Sequence, residues 1–166
     1  MKNLKQTNNI DNKVVEDFGR EWKRFNHKGI DSAVLDSSFK DYFDIFPLDQ
    51  LGDCEGFDMG CGSGRWAKFI LPHVKFLHCI DPSSEALEQA KINLKQFSNC
   101  DFECSSVDIC SLRNSSQHFG YSLGVLHHIP DTLEALRSCS SKLKSGAPFL
   151  LYLYYRFDNK PKWYAF

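Results

Sequence analysis

A carboxylate followed by three glycines at alternate positions is the stretch of this chain best suited to chemistry: Asp58-Met59-Gly60-Cys61-Gly62-Ser63-Gly64. Glycine lets the backbone turn sharply and lets a ligand approach where a Cβ would clash. A helix-compatible run, Trp66 to Leu71, follows at once, and a helix start offers free N–H groups to a polar ligand. With Phe57 and Asp58 ending an apolar strand, the unit reads as strand, ligand-cradling loop and helix. Dinucleotide-binding loops carry G-x-G-x-x-G. Here the third glycine comes one residue earlier, and Arg65 stands where that pattern needs glycine. Asp58 also suits a cationic ligand better than a pyrophosphate.

Two further carboxylates and a histidine pair extend the set. Asp81, in Asp81-Pro82-Ser83, ends the apolar run Val74 to Ile80. It lies about 20 residues beyond the glycine loop, where a carboxylate grips a ribose diol by accepting from both hydroxyls. The alternative is that it only helps to start the next helix. Asp108, beside Val107 and Ile109, offers one acceptor next to apolar walls; a solvent-facing turn residue is the plainer reading. His127 and His128 follow a fourth apolar run. Histidine titrates near neutrality and can serve as a base, although a hydrogen-bonded structural role fits the same pattern. No Cys/His spacing suggests a metal site.

The strand with its acidic-x-G-x-G-x-G loop resembles the first motif of the class I S-adenosylmethionine-dependent methyltransferases. The run Leu126-His127-His128-Ile129-Pro130-Asp131 is a second and more specific match. Glycine loop, spaced carboxylates and this run arrive in the methyltransferase order across roughly Phe57 to Tyr155. The resemblance implies an α/β fold, Rossmann-like, with a mostly parallel sheet and helices on both faces. It implies S-adenosylmethionine as cofactor, held by Asp58, Gly60, Cys61, Gly62, Gly64, Asp81, Pro82, Asp108, Ile109, Gly124 and Val125. In that scheme Asp81 takes the ribose, and Asp108 accepts from the adenine amine. His127 and His128 are the catalytic candidates, and the reaction is methyl transfer to a small-molecule acceptor. The string Phe18-Gly19-Arg20-Glu21-Trp22 also looks like a segment ahead of the glycine loop in some bacterial methyltransferases. Many methyltransferases have Phe-Asp leading into the fourth strand; here Gly120 replaces the Asp. Two other readings compete. A nicotinamide-dependent oxidoreductase shares the fold and Asp81, but the glycine spacing argues against it. A non-enzymatic binding or assembly module is the other.

Elements must position these residues. Residues 1–12 read as a loose polar tail. Residues 13–47 carry two helical apolar faces, Val14, Val15, Phe18, Trp22 and Phe25, then Leu35, Phe39, Tyr42, Phe43 and Phe46, the second stopped by Pro47. By the resemblance these helices cover the cofactor, with Trp22 and Tyr42 as lid candidates. Residues 53–166 form the cofactor-binding domain. Ser83 caps a helix to about Phe97, Phe102 to Ser105 is a short strand, and Phe119 to Leu126 is the fourth strand. Asp131 and Glu134 start a helix that ends near Lys142, Lys144 and Gly146. Phe149 to Tyr155 is a fifth, continuously apolar strand. The resembled class carries two further strands, and too few residues follow Tyr155 for a crossover. The expectation is therefore a truncated sheet whose fifth strand is an unpaired edge, prone to self-association through Phe149 to Tyr155.

Totals bound the remaining options. The 166 residues, 42% hydrophobic and 25% charged, make one domain with a substantial core. A net charge of -1 gives no electrostatic case for nucleic acid or an anionic membrane. There is neither a signal-peptide apolar region nor a run that approaches a membrane span. Seven cysteines without a secretory signal point to a reducing, cytoplasmic setting, most of them as small buried hydrophobes.

Overall fold

The structure, a computed structural model, describes residues 9–24 and 32–154. Two helices, α1 (Asn12–Arg24) and α2 (Ser32–Phe43), precede an alternating series. That series is β1 (Glu55–Met59), α3 (Ala67–Ile70), β2 (Phe76–Asp81), α4 (Ser84–Asn93), β3 (Cys100–Cys104), β4 (Phe119–Leu123), α5 (Thr132–Lys142) and β5 (Phe149–Tyr152). The five strands form one sheet in the order β3-β2-β1-β4-β5, and every neighbouring pair is parallel. Strand order reverses at β1, so a crevice opens at the carboxyl ends of β1 and β4, where open α/β sheets bind ligands.

Alternation along β1 sorts the core. Phe57 and Met59 join Ile80, Leu126, Ala135 and Cys139 under α5. Phe43, Cys61, Ile70, Leu77, Cys79, Leu87 and Tyr121 fill the opposite face, under α2, α3 and α4. Asp58 therefore projects into this second face, level with Cys79 on β2 and Tyr121 on β4.

The register of β1 on β4 explains the departure at Gly120. Gly120 pairs with Phe57, and a Cβ at position 120 would lie 2.4 Å from the Phe57 ring. The phenyl group of β1 lies over the space a side chain at 120 would fill.

Helix ends follow local chemistry. The Ser83 hydroxyl accepts from the Ala86 amide at 3.2 Å, capping α4, which ends at Asn93, short of Phe97. Asp131 accepts from the Glu134 amide at 2.9 Å and caps α5. Its own amide donates to the Asn9 side chain at 2.9 Å, so Asn9 fills the place of the Glu134 side chain in a reciprocal box. The fourth strand is shorter than its apolar run. It stops at Leu123, because Gly124 takes a φ of +75°, and Leu126–His128 turns as a 3-10 helix. Among the described residues β5 has β4 on one side and no strand on the other. Cys61, Cys79, Cys110 and Cys139 are buried thiols, whereas Cys104 is exposed. No helix of the described residues is long and apolar enough to cross a membrane.

Candidate functional site

A cavity of about 330 Å³ lies at the carboxyl end of the sheet, over the reversal point. That volume lies within the range of small-molecule sites. Each strand contributes a residue or loop to it, and the N-terminal segment closes one side.

The glycine loop forms the floor. Gly60 sits at φ +79°, and a Cβ there would meet the Val125 side chain at 2.5 Å, so only glycine fits. The amides of Gly60 and Cys61 donate to the Ile80 carbonyl, tying the loop to β2. Gly60 and Cys61 line the cavity. Gly62 and Gly64 lie behind them, Gly62 donating its N–H to Asp81 Oδ2 at 2.9 Å and Gly64 its N–H to the Cys61 carbonyl.

Asp81 ends β2 and lines the cavity with Pro82 and Ser83. Its Oδ1 accepts from the Ser83 amide at 2.8 Å, and Oδ2 from Gly62. Burial pushes its carboxyl above the usual range, and these two backbone bonds oppose the shift. Each oxygen keeps a second lone pair, so the carboxylate is oriented and still able to accept.

Asp58 lies beneath the floor and does not line the cavity. It is 2% exposed. Burial, with a smaller contribution from Asp81, pushes its carboxyl up to about 8; the nearby Tyr121 hydroxyl opposes only part of this. Among the described residues neither Asp58 Oδ2 nor the Tyr121 hydroxyl has a partner in hydrogen-bonding geometry.

Asp108 and Ile109 also lie outside the cavity wall, which at that point is Ser105, Ser106 and Val107. Asp108 is tied down by neighbours: Oδ1 accepts from the Ser106 hydroxyl at 2.6 Å and Oδ2 from the Asn9 amide at 3.2 Å. Ile109 points outward, 58% exposed. On the opposite wall Gly124 and Val125 line the cavity after β4.

The histidine pair divides. His128 lines the cavity. His127 does not; its ring lies 4.0 Å from that of His128 and edge-on to Tyr154 at 4.7 Å. Both His127 ring nitrogens are buried, with no hydrogen-bond partner among the described residues. Burial lowers the pKa of each histidine below its ordinary value, and His128 adds to the effect on His127. Neutral imidazoles therefore prevail at pH 7.

Several lining residues escaped the sequence reading. Asn9, Ile10 and Asp11 close one side, ahead of α1, and Val14 and Val15 continue it. Arg65, Trp66, Tyr152 and Tyr154 join Tyr42 at the end near β4 and β5. Tyr42 thus reaches the cavity, whereas the Trp22 side chain lies outside what the structure describes. Arg65 follows the glycine motif directly and was legible as a cation beside a ligand loop; the aromatic residues look like core from sequence alone. Among the described residues no cluster of His, Cys, Asp and Glu could hold a metal ion.

Known proteins similar to this chain include methyltransferases. The chain is 26% identical over 92 residues to a ubiquinone biosynthesis O-methyltransferase of Coxiella burnetii, a match over 54% of this chain and 38% of that protein. A protein of the same name from Vibrio vulnificus is 25% identical over 157 residues, covering 86% of this chain and 63% of the relative. The chain thus spans less than two thirds of either relative's length. The solved structure of phosphoethanolamine N-methyltransferase 1 from Haemonchus contortus, in complex with phosphoethanolamine and S-adenosylhomocysteine, superposes with a TM-score of 0.64. At 14% identity, over 81% of this chain and 31% of that one, it shows a shared fold. The family model described as "Methyltransferase domain" matches residues 57–149, from the glycine-loop strand to the start of β5, so this chain belongs to the methyltransferase domain family.

Proposed function

We propose that the chain binds S-adenosylmethionine and directs its methyl group to a small-molecule acceptor. The observation that carries this reading is the oriented, unsaturated carboxylate of Asp81 at the wall of a glycine-floored cavity on the sheet reversal. A ribose diol fits a carboxylate so held, and Gly60 and Cys61 give the cavity a floor on which a ligand can lie. Ser105, Ser106 and Val107 offer the adenine a wall that mixes polar and apolar groups. Asp108 and Ile109 support that wall from behind, Asp108 through its bond to Ser106. Asp58 stands buried under the loop with its carboxyl raised to about 8, so near pH 7 it is a neutral, polarisable support for the loop and no fixed counter-charge.

When bound, the cofactor supplies an electrophilic methyl on a sulfonium. The protein's task is to hold the acceptor in line with it and exclude water, a proximity effect that needs no covalent step. His128, neutral and on the cavity wall, is placed to take a proton from an acceptor that must lose one. His127 positions it by ring contact. The named relatives support a small metabolite as acceptor, and the absence of a long apolar helix among the described residues accords with a cytoplasmic protein. The edge of β5, which no strand pairs among the described residues, supports self-association along Phe149 to Tyr152.

Calorimetric titration with S-adenosylhomocysteine tests the reading. Wild type should bind, and Asp81→Ala should bind more weakly by about 1.5–3 kcal/mol, the scale of hydrogen bonds to a charged group. Equal affinities in a folded variant would remove Asp81 from the ribose role.

A further inference from the structure

The cavity has a second end, away from Asp81, walled by aromatic rings. Tyr42 meets Trp66 at 5.3 Å and Tyr152 edge-on at 5.0 Å, and Tyr152 meets Tyr154 at 5.4 Å. Arg65 lines this end, its guanidinium carbon 4.5 Å above the Trp66 ring. Stacking fixes the guanidinium plane without using its in-plane N–H donors.

Those donors lack an acidic partner among the described residues. Arg65 Nε is buried with no hydrogen-bond partner, and Arg65 forms no ion pair among the described residues. The carboxylates lining the cavity are engaged elsewhere. Asp11 accepts from the Lys13 and Val14 amides, and Asp81 from those of Gly62 and Ser83. A buried cationic donor left open is unfavourable unless a ligand completes it. Tyr42 lies within reach of the Arg65 charge, and partial burial together with its contact to Tyr152 keeps its hydroxyl protonated, so it adds no negative charge beside the guanidinium.

The geometry points to an oxyanion subsite: Arg65, stacked on Trp66 and flanked by Tyr42, takes a carboxylate-type group of a bound ligand. This rests on the methyl-transfer reading, which brings two molecules into the cavity. The carboxylate can be that of the cofactor's amino-acid portion or one carried by the acceptor; the recognising chemistry is the same. A planar fork against a carboxylate, with a ring behind it, is a task lysine cannot take over.

Wild type, Arg65→Gln and Arg65→Lys are titrated calorimetrically with three probes. These are S-adenosylhomocysteine, 5′-methylthioadenosine (which lacks the amino-acid portion), and benzoate added to the S-adenosylhomocysteine complex. Arg65→Gln should lose at least about tenfold in affinity for one carboxylate probe, with methylthioadenosine unchanged and lysine a poor substitute. Loss on S-adenosylhomocysteine assigns the subsite to the cofactor. Loss on benzoate alone assigns it to the acceptor. Unchanged binding of both carboxylate probes overturns the subsite, as does wild-type indifference to benzoate with S-adenosylhomocysteine unaffected. An equal loss on methylthioadenosine also overturns it, because the damage is then general. If wild type binds neither nucleoside, the methyl-transfer reading itself falls, and the subsite with it. A variant without effect, beside a wild type that binds both, removes only the subsite.

Discussion

Two histidines adjacent in sequence meet different surroundings. His128 reaches the cavity, and His127 is packed between Tyr154 and its neighbour with both nitrogens buried. His128→Ala should therefore lower turnover about 10²–10⁴-fold with cofactor affinity kept, if the acceptor must lose a proton. His127→Ala should act mainly on stability, read by thermal melting, with turnover reduced far less. The reverse ranking would exchange their roles. Asp58 gives a pH test. Its carboxyl, at about 8 when folded against 3.8 as an ordinary Asp, holds a proton that the unfolded chain releases at a lower pH. Stability from this residue is fully present below about 4 and is lost as pH rises through about 8. Asp58→Asn should flatten the decline of melting temperature across that window and raise stability at its upper end, on the order of a few kcal/mol. A parallel decline in the variant would place the pH dependence elsewhere.

At the scale of elements, the glycine-loop strand, the capped starts of α4 and α5 and the parallel alternation were legible because each has a local cause. Ser83 and Asp131 cap where their side chains reach the third following residue, and glycine spacing fixes the turn. The N-terminal segment was not legible, because its role depends on contacts far along the chain. Asn9 donates its amide to Asp108 and its side chain to the Asp131 carbonyl, and accepts from the Asp131 amide. It thereby ties α1 to the loops after β3 and β4, beside the cavity. Asn9→Ala should speed hydrogen exchange across residues 9–16 and weaken S-adenosylhomocysteine binding by about 1 kcal/mol. Unaltered exchange would show that the clamp does not hold the segment. In the sequence Gly120 is a departure that says little about chemistry, and its meaning lies in the β1–β4 register. Gly120→Ala forces the Phe57 ring aside and should cost about 1–3 kcal/mol in chemical denaturation, without altering the site directly.

For the whole molecule, sheet order sets both the site and the exposed border. Reversal at β1 opens the cavity, and the same order leaves β5 outermost among the described strands. The parallel class of fold could be read from strands alternating with helices, whereas the aromatic end of the cavity could not. Tyr42, Trp66 and Tyr152 come from three separated elements and meet only when the sheet is assembled. The border has the features of a surface that recruits partners. Ile45 is 84% exposed, and Tyr152, Leu153 and Tyr154 follow in an unbroken apolar run at 38%, 37% and 57%. Natural edges are shielded by charge, by brevity or by a covering segment; β5 carries no charged residue. The backbone donors and acceptors on its outer side can pair with another strand, and a second copy of this chain supplies one increasingly as concentration rises. Sedimentation velocity over a concentration series should therefore show reversible association of this chain. Leu153→Lys places a charge beside that edge, outside the cavity lining, and should shift the population to monomer with S-adenosylhomocysteine affinity unchanged. A single monomeric species at every concentration in wild type would show that the edge is not used between copies.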